Sequence, residues 1–328
     1  MIFLYSYIDW SYLQRTIKFR QEDKLLKTQR PDIFHGQAVN LFKKTTEKAE
    51  QSKTFLFLCK KEEKQLPNNK TTMEFISKNT PKYNIGLSLS GGGAKGFAHI
   101  GALKALTERG IRPDIIAGTS AGSIAGAFYA AGVSPERTMR LFVEENLKDF
   151  VHFTLNGKSF LKYDGFAEFL ERSLPVRYFE DLKIPLYVVA SNFDTGEYEV
   201  FSEGELIPRL LASCTIPVIF PPIKINGMRY VDGGLFMNLP VTPIRDICET
   251  VIGINVSPYL TNDDKENMIY VAAKSFQYIF NANTATERQL CDILLEIKDM
   301  ESYNIFDLHS AKKIYHIGYR QMRALLNI

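Results

Sequence analysis

Two glycine-rich turns, each delivered by an apolar run and followed by small residues, constrain this chain more than any other feature. The first is Ser90-Gly91-Gly92-Gly93-Ala94-Lys95-Gly96, after Ile85-Gly86-Leu87-Ser88-Leu89. The second is Gly118-Thr119-Ser120-Ala121-Gly122, after Ile115-Ile116-Ala117, and Gly118 follows Gly96 by 22 residues. Strand, turn and helix, repeated at that spacing, demand parallel strands joined by crossover helices. The expected fold class is therefore α/β. Phe97, Ile100, Leu103 and Leu106 keep a helical spacing, so a helix is predicted from Lys95 to about Arg109, with Gly110 as its stop. A second helix is predicted over 121–131, ended by Gly132. Ser134-Pro135 opens a third in cap-then-proline order.

Downstream, 186–190 reads as a buried strand, with a hairpin-like return over Asp194-Thr195-Gly196 into a strand at 198–201. Residues 206–214 read as a helix and 216–222 as an apolar, proline-rich loop. A short strand at 229–231 ends at Asp232-Gly233-Gly234, and 250–256 is a further strand. From about Met268 the pattern is mostly helical. The organisation expected is a basic N-terminal extension over 1–80, a catalytic domain over 81–258 and a mostly helical C-terminal region over 259–328.

The 328 residues suffice for a sizeable core. The net charge of +3 is near neutral and gives no sign of a nucleic-acid partner. Its distribution is uneven: residues 1–80 carry 15 Lys/Arg against 9 Asp/Glu, and residues 81–328 carry 25 against 28. The segment 1–80 reads as a loosely packed extension, as a basic and aromatic arm for peripheral contact with anionic membrane, or as a stretch preceding a start at Met73. Cys59, Cys214, Cys248 and Cys291 form no Cys-x-x-Cys and have no zinc spacing. They read as reduced thiols of a cytoplasmic protein. No run of 18 apolar residues suggests a membrane span, and the N-terminus lacks the basic start of a signal peptide.

The turns also carry chemistry. Gly-x-Ser-x-Gly between a strand and a helix is the nucleophile elbow of serine hydrolases, with Gly118 and Gly122 removing side chains that would clash there. A glycine-rich turn before it offers free backbone N–H groups to an oxyanion. That loop has rival readings. A dinucleotide fingerprint wants an acidic residue at the end of the next strand, but Asp114 precedes that strand. A phosphate-binding Gly-Lys-Ser/Thr is absent, since Phe97 follows Gly96. A bare tight turn remains open. Asp232-Gly233 is first of all a turn signature. Yet a short strand delivers it, and none of His35, His99, His152, His309 and His316 sits in a tight glycine-flanked turn. A serine hydrolase without a placed histidine suggests a Ser–Asp pair.

Taken together, Gly91-Gly92-Gly93-Ala94-Lys95-Gly96, Gly118-Thr119-Ser120-Ala121-Gly122 and Asp232-Gly233-Gly234 resemble the three motifs of the patatin-like phospholipase family. Phe97-Ala98-His99-Ile100-Gly101, Ala212-Ser213-Cys214-Thr215-Ile216-Pro217 and Phe220-Pro221-Pro222 fit as well. The likeness covers about residues 84–257, in the style of small bacterial members. It implies a three-layer α/β/α core with a mostly parallel sheet, Ser120 as nucleophile, Asp232 as its base, and the N–H groups of Gly91, Gly92 and Gly93 as oxyanion hole. Lys95 takes the family's basic position, while Gly96, Gly118, Gly122, Gly233 and Gly234 are motif glycines. The resemblance also implies action on acyl esters of lipids or lysolipids without a metal or other cofactor. Two rivals stand beside it. One is an α/β-hydrolase triad completed by His309 or His316. The other is a catalytically silent module that binds lipid or nucleotide.

Overall fold

The computed structural model describes residues 81–144, 152–153, 161–162, 164–258, 268–303 and 305–327. The chain divides into two units, Met1–Lys78 and Asn79–Ile328, and the second holds every described residue. The basic extension expected over 1–80 lies outside the described residues.

The second unit is built on an eight-stranded sheet. The strands β1 (Tyr83–Leu89), β2 (Ile115–Thr119), β5 (Leu186–Asn192), β9 (Cys248–Asn255) and β10 (Ile293–Glu296) run parallel in the order β10-β9-β1-β2-β5. Three antiparallel strands complete the sheet around β5: β6 (Glu197–Phe201), β7 (Ile223–Ile225) and β8 (Met228–Asp232). The two-residue strands β3 (His152–Phe153) and β4 (Leu161–Lys162) form a separate pair.

Helices α1 (Phe97–Glu108) and α2 (Ala121–Ala130) are the crossovers after β1 and β2. Then come α3 (Pro135–Glu144), α4 (Asp164–Ser173), α5 (Leu206–Ser213), α6 (Thr242–Arg245), α7 (Met268–Gln289) and α8 (Ala311–Leu325). Successive strand residues point to opposite faces, and the core divides accordingly. Leu87, Leu89 and Ile116 join α1, α2, α4, α5 and α8 in the larger cluster. Ile115, Ala117 and Val251 join Leu239, Val241 and Ile244 in a smaller one. The result is the three-layer arrangement, with a thick helical layer on one face and a thin one on the other.

Two local outcomes differ from the sequence expectation. The first helix begins at Phe97, because Gly93–Gly96 forms a 3-10 turn. Gly93 sits at φ +56, a left-handed conformation that favours glycine, and the Lys95 N–H donates to the Gly92 carbonyl three residues back, at 3.2 Å. The C-terminal region, expected to be mostly helical, also contributes β10, which adds a strand to the sheet beside β9. Its helix α8 packs on α1 so closely that backbones touch. A Cβ built on Gly318 meets the Ala98 carbonyl, and one built on Gly101 meets the Tyr315 carbonyl.

Candidate active site

The register of β5 brings the site together. Its residues Leu186–Val189 pair with β2, and Ala190–Asn192 pair with β8. Strand β6 pairs with Val188–Asn192, overlapping both sets, so it must occupy the other edge of β5. Strand β8 therefore takes over the β5 edge where β2 leaves it. Thr119 lies opposite Val189 and Asp232 opposite Ala190, the next residue along. Ser120, the residue after β2, thus arrives beside Asp232, the last residue of β8.

The two side chains meet. Ser120 Oγ donates to Asp232 Oδ2 at 2.7 Å, and the Gly234 N–H donates to Asp232 Oδ1 at 2.8 Å. Both carboxylate oxygens are held, and the one facing Ser120 is oriented to accept a proton. Ser120 caps α2 at φ 51 and ψ −124. A non-glycine residue in that region stores about 1–3 kcal/mol of strain, and its surroundings enforce it. The Ser120 N–H donates to Ser213 Oγ at 2.8 Å, and the Ser213 hydroxyl donates to the Val189 carbonyl at 2.6 Å. The Ser120 carbonyl accepts from Ser123 Oγ at 2.7 Å. Gly122 has no room for a side chain, since a Cβ there meets the Leu89 carbonyl. Gly118, Gly233 and Gly234 are likewise in close contact with neighbouring chain, and Gly96 abuts Ala121.

The first glycine turn lies against this pair. A Cβ on Gly91 would be 3.3 Å from Ser120 Cβ. The Gly91 N–H is already donated to the Asn238 carbonyl at 3.0 Å, and the Ala94 N–H to the Ile305 carbonyl at 2.8 Å. Of the three donors expected from the sequence, those of Gly92 and Gly93 have no acceptor among the described residues.

The electrostatics follow from burial. Asp232 is 1% exposed. Loss of water raises its carboxyl to about 7, against the opposing pull of the Ser120 and Gly234 hydrogen bonds. Lys95 is fully buried beneath the turn. Burial lowers its ammonium to about 8, and the Glu301 charge opposes that shift. The Cys214 thiol contacts the hydroxyls of Ser120 and Ser123, and desolvation holds it in the protonated form.

His99, His309 and His316 stand apart from the pair. His99 is buried on α1, its Nε2 paired with the Ser90 carbonyl at 2.8 Å, and burial lowers it to about 4. His309 and His316 are exposed, and Ser120 Oγ is donated directly to the carboxylate. A triad through either histidine has no geometric support among the described residues. No group of three or more potential metal ligands occurs among the described residues.

Sequence reasoning singled out Ser120, Asp232 and both glycine turns, and the fold brings them together. It assigned no role to Ser213, Thr215, Asn238 or Ile305. Three of them act here through backbone carbonyls, Thr215 by accepting the Asp232 N–H at 2.7 Å, and a carbonyl leaves no mark on residue type. Ser213 belongs to the stretch 212–217 that resembles the family, but only the fold reveals its hydroxyl under the Ser120 N–H.

Comparison with known proteins agrees with this architecture. Residues 87–244 match the family model described as patatin-like phospholipase. The chain is 26% identical over 275 residues to lysophospholipase NTE1 of Saccharomyces cerevisiae, covering 74% of this chain and 16% of that protein. It is 34% identical over 181 residues to human patatin-like phospholipase domain-containing protein 6, covering 52% of this chain and 13% of that one. The chain thus spans less than a fifth of the length of these relatives. Among solved structures, VipD from Legionella pneumophila shares the fold, with a TM-score of 0.52 at 17% identity, over 76% of this chain and 67% of that one.

Proposed function

We infer that this chain, which carries a patatin-like phospholipase domain over residues 87–244, is a serine acyl hydrolase cleaving fatty-acyl esters of lipids. The observation that carries the reading is the 2.7 Å hydrogen bond from the strained Ser120 hydroxyl to the buried Asp232 carboxylate. Ser120 Oγ attacks the ester carbonyl while its proton passes to Asp232 Oδ2. The carbonyl oxygen gains negative charge, and the N–H groups of Gly92 and Gly93 receive it. In comparable sites one such donor is worth about 3–4 kcal/mol. The tetrahedral intermediate collapses, and the leaving alcohol takes the proton from Asp232. Water then attacks the acyl-enzyme, gives its proton to Asp232 and releases the fatty acid as the proton returns to Ser120. A carboxyl near 7 suits both halves of this cycle, since a shuttling group works best near ambient pH.

The reading also has support from relatives whose names describe phospholipases and a lysophospholipase. Lys95, buried two residues after Gly93, adds a positive charge to the same turn.

The test uses a soluble short-chain ester and fluorophosphonate labelling. Ser120→Ala and Asp232→Asn should each lower turnover by at least about 1000-fold, with the double variant no worse, because the pair acts as a unit. Ser120→Ala should abolish labelling. Wild-type kcat/KM should rise with pH through about 7 as Asp232 ionises. A folded Asp232→Asn protein that keeps most of its activity would refute the pairing.

A further inference from the structure

Left-handed backbone is costly outside glycine, least so for Asn and Asp, and most of all for β-branched side chains. Among the described residues, five non-glycine positions adopt it: Ser120, Val218, Asn226, Asp299 and Asn327. Three are Asn or Asp. Of the other two, Ser120 carries the chemistry. Val218, at φ 72, has no such explanation, and it is 54% exposed. A strained, β-branched, apolar side chain held in water is disfavoured on both counts, and such strain concentrates at functional positions.

Val218 stands in a loop tied to the site at its start and closed on itself at its end. At its start, the Cys214 thiol contacts Ser120, and the Thr215 carbonyl accepts the Asp232 N–H at 2.7 Å. At its end, Ile219 and Phe220 are buried, and the Phe220 N–H donates to the Ile216 carbonyl at 3.0 Å. Val218 is therefore held in place, and its apolar side chain is presented outward. A second exposed apolar side chain lies four residues after Asp232. Phe236 is 39% exposed on the turn whose Gly234 N–H holds the Asp232 carboxylate. Its neighbour Met237 is buried, with its carbonyl accepting from Thr119 Oγ1 at 2.8 Å. The two segments, 210–223 and 233–244, contain no charged residue in a chain that is 23% charged.

We propose that Val218 and Phe236 form an apolar rim that dips into the acyl region of a lipid surface and seats the site against it. The proposal rests on the lipid hydrolase reading for its choice of occupant. The absence of charge in both segments favours the hydrocarbon of a zwitterionic layer over anionic head groups, since burying bare apolar surface needs no counter-charge.

The experiment separates seating from chemistry. Full-length Ser120→Ala protein is floated with phosphatidylcholine vesicles in about 0.5 M salt, where charge attraction through residues 1–80 is screened. It should bind, and adding Val218→Gly with Phe236→Ser should lower partitioning by at least about fivefold, from the apolar area removed. In the active background, the same pair should leave kcat/KM on a soluble short-chain ester unchanged and reduce hydrolysis of vesicle lipid in parallel with binding. Val218→Gly alone should raise Tm, since glycine adopts φ 72 without strain. Equal vesicle binding with and without the rim changes would overturn the proposal. So would an equal loss on the soluble ester, which would make the rim part of the site's own structure. Flotation needs no turnover, so a failure of the hydrolase reading would show separately, as no activity on any ester.

Discussion

The burial of Asp232 that suits the proposed chemistry opposes stability above neutral pH. Holding a carboxyl at about 7 instead of 3.8 makes its ionised form about 4 kcal/mol less favourable than in water. The folded state keeps its proton where the unfolded chain has lost it. That contribution to stability is therefore complete below about 3.8 and is lost as pH rises through about 7. Asp232→Asn removes the titration. The variant should be more stable than the wild type at pH 8, by up to about 4 kcal/mol. The gap should close on acidification to pH 4. Urea unfolding at the two pH values measures it, and a gap independent of pH would show that Asp232 is not the buried acid described. Asp232 stands out in the sequence because a short strand delivers it to a Gly-Gly turn with no histidine to compete. The engagement of the Gly91 N–H was not legible. The acceptor that occupies the Gly91 N–H is the carbonyl of Asn238, distant in sequence, and any residue at that position carries a carbonyl.

At the scale of elements, the first two strand–turn–helix units follow from glycine punctuation, and their boundaries fall within a few residues of the expectation. Strand β10 does not follow. Ile293–Glu296 holds three apolar residues and then Glu296, and a run that short has no period to tell strand from helix; its partner β9 decides the matter. The α1–α8 crossing was equally hidden, although both its glycines are visible as residues. Each permits the other helix's backbone to approach, a requirement that only the packed pair reveals. Gly318→Ala drives a methyl group into the Ala98 carbonyl. Alanine is the better helix former by about 1 kcal/mol, so the packing clash must exceed that to destabilise. Backbone against backbone has little freedom to yield, and the expected net loss is about 3 kcal/mol in urea unfolding. A stability gain would mean that the helices are further apart than described.

At the scale of the whole molecule, the C-terminal region is part of the core. Strand β10 adds to the sheet, and α8 covers the α1 face that includes Ala98 and Gly101. A chain ending at Leu290 keeps every motif residue and should still fail to fold, giving aggregated protein and no near-ultraviolet circular dichroism. A soluble, active product would make the C-terminal region an accessory. The meeting of Ser120 and Asp232 depends on this same sheet. They are 112 residues apart in the chain, yet a single strand sets their separation, because β2 and β8 dock end to end along one edge of β5. The backbone ladder acts as a ruler, with about 3.3 Å per division. Loops spliced into the connections between β2 and β5, or between β5 and β8, leave those divisions unchanged where they spare β6, Ser213 and Thr215. The segments most able to reshape what enters the site can thus lengthen, shorten or diverge without moving the two atoms that must stay 2.7 Å apart.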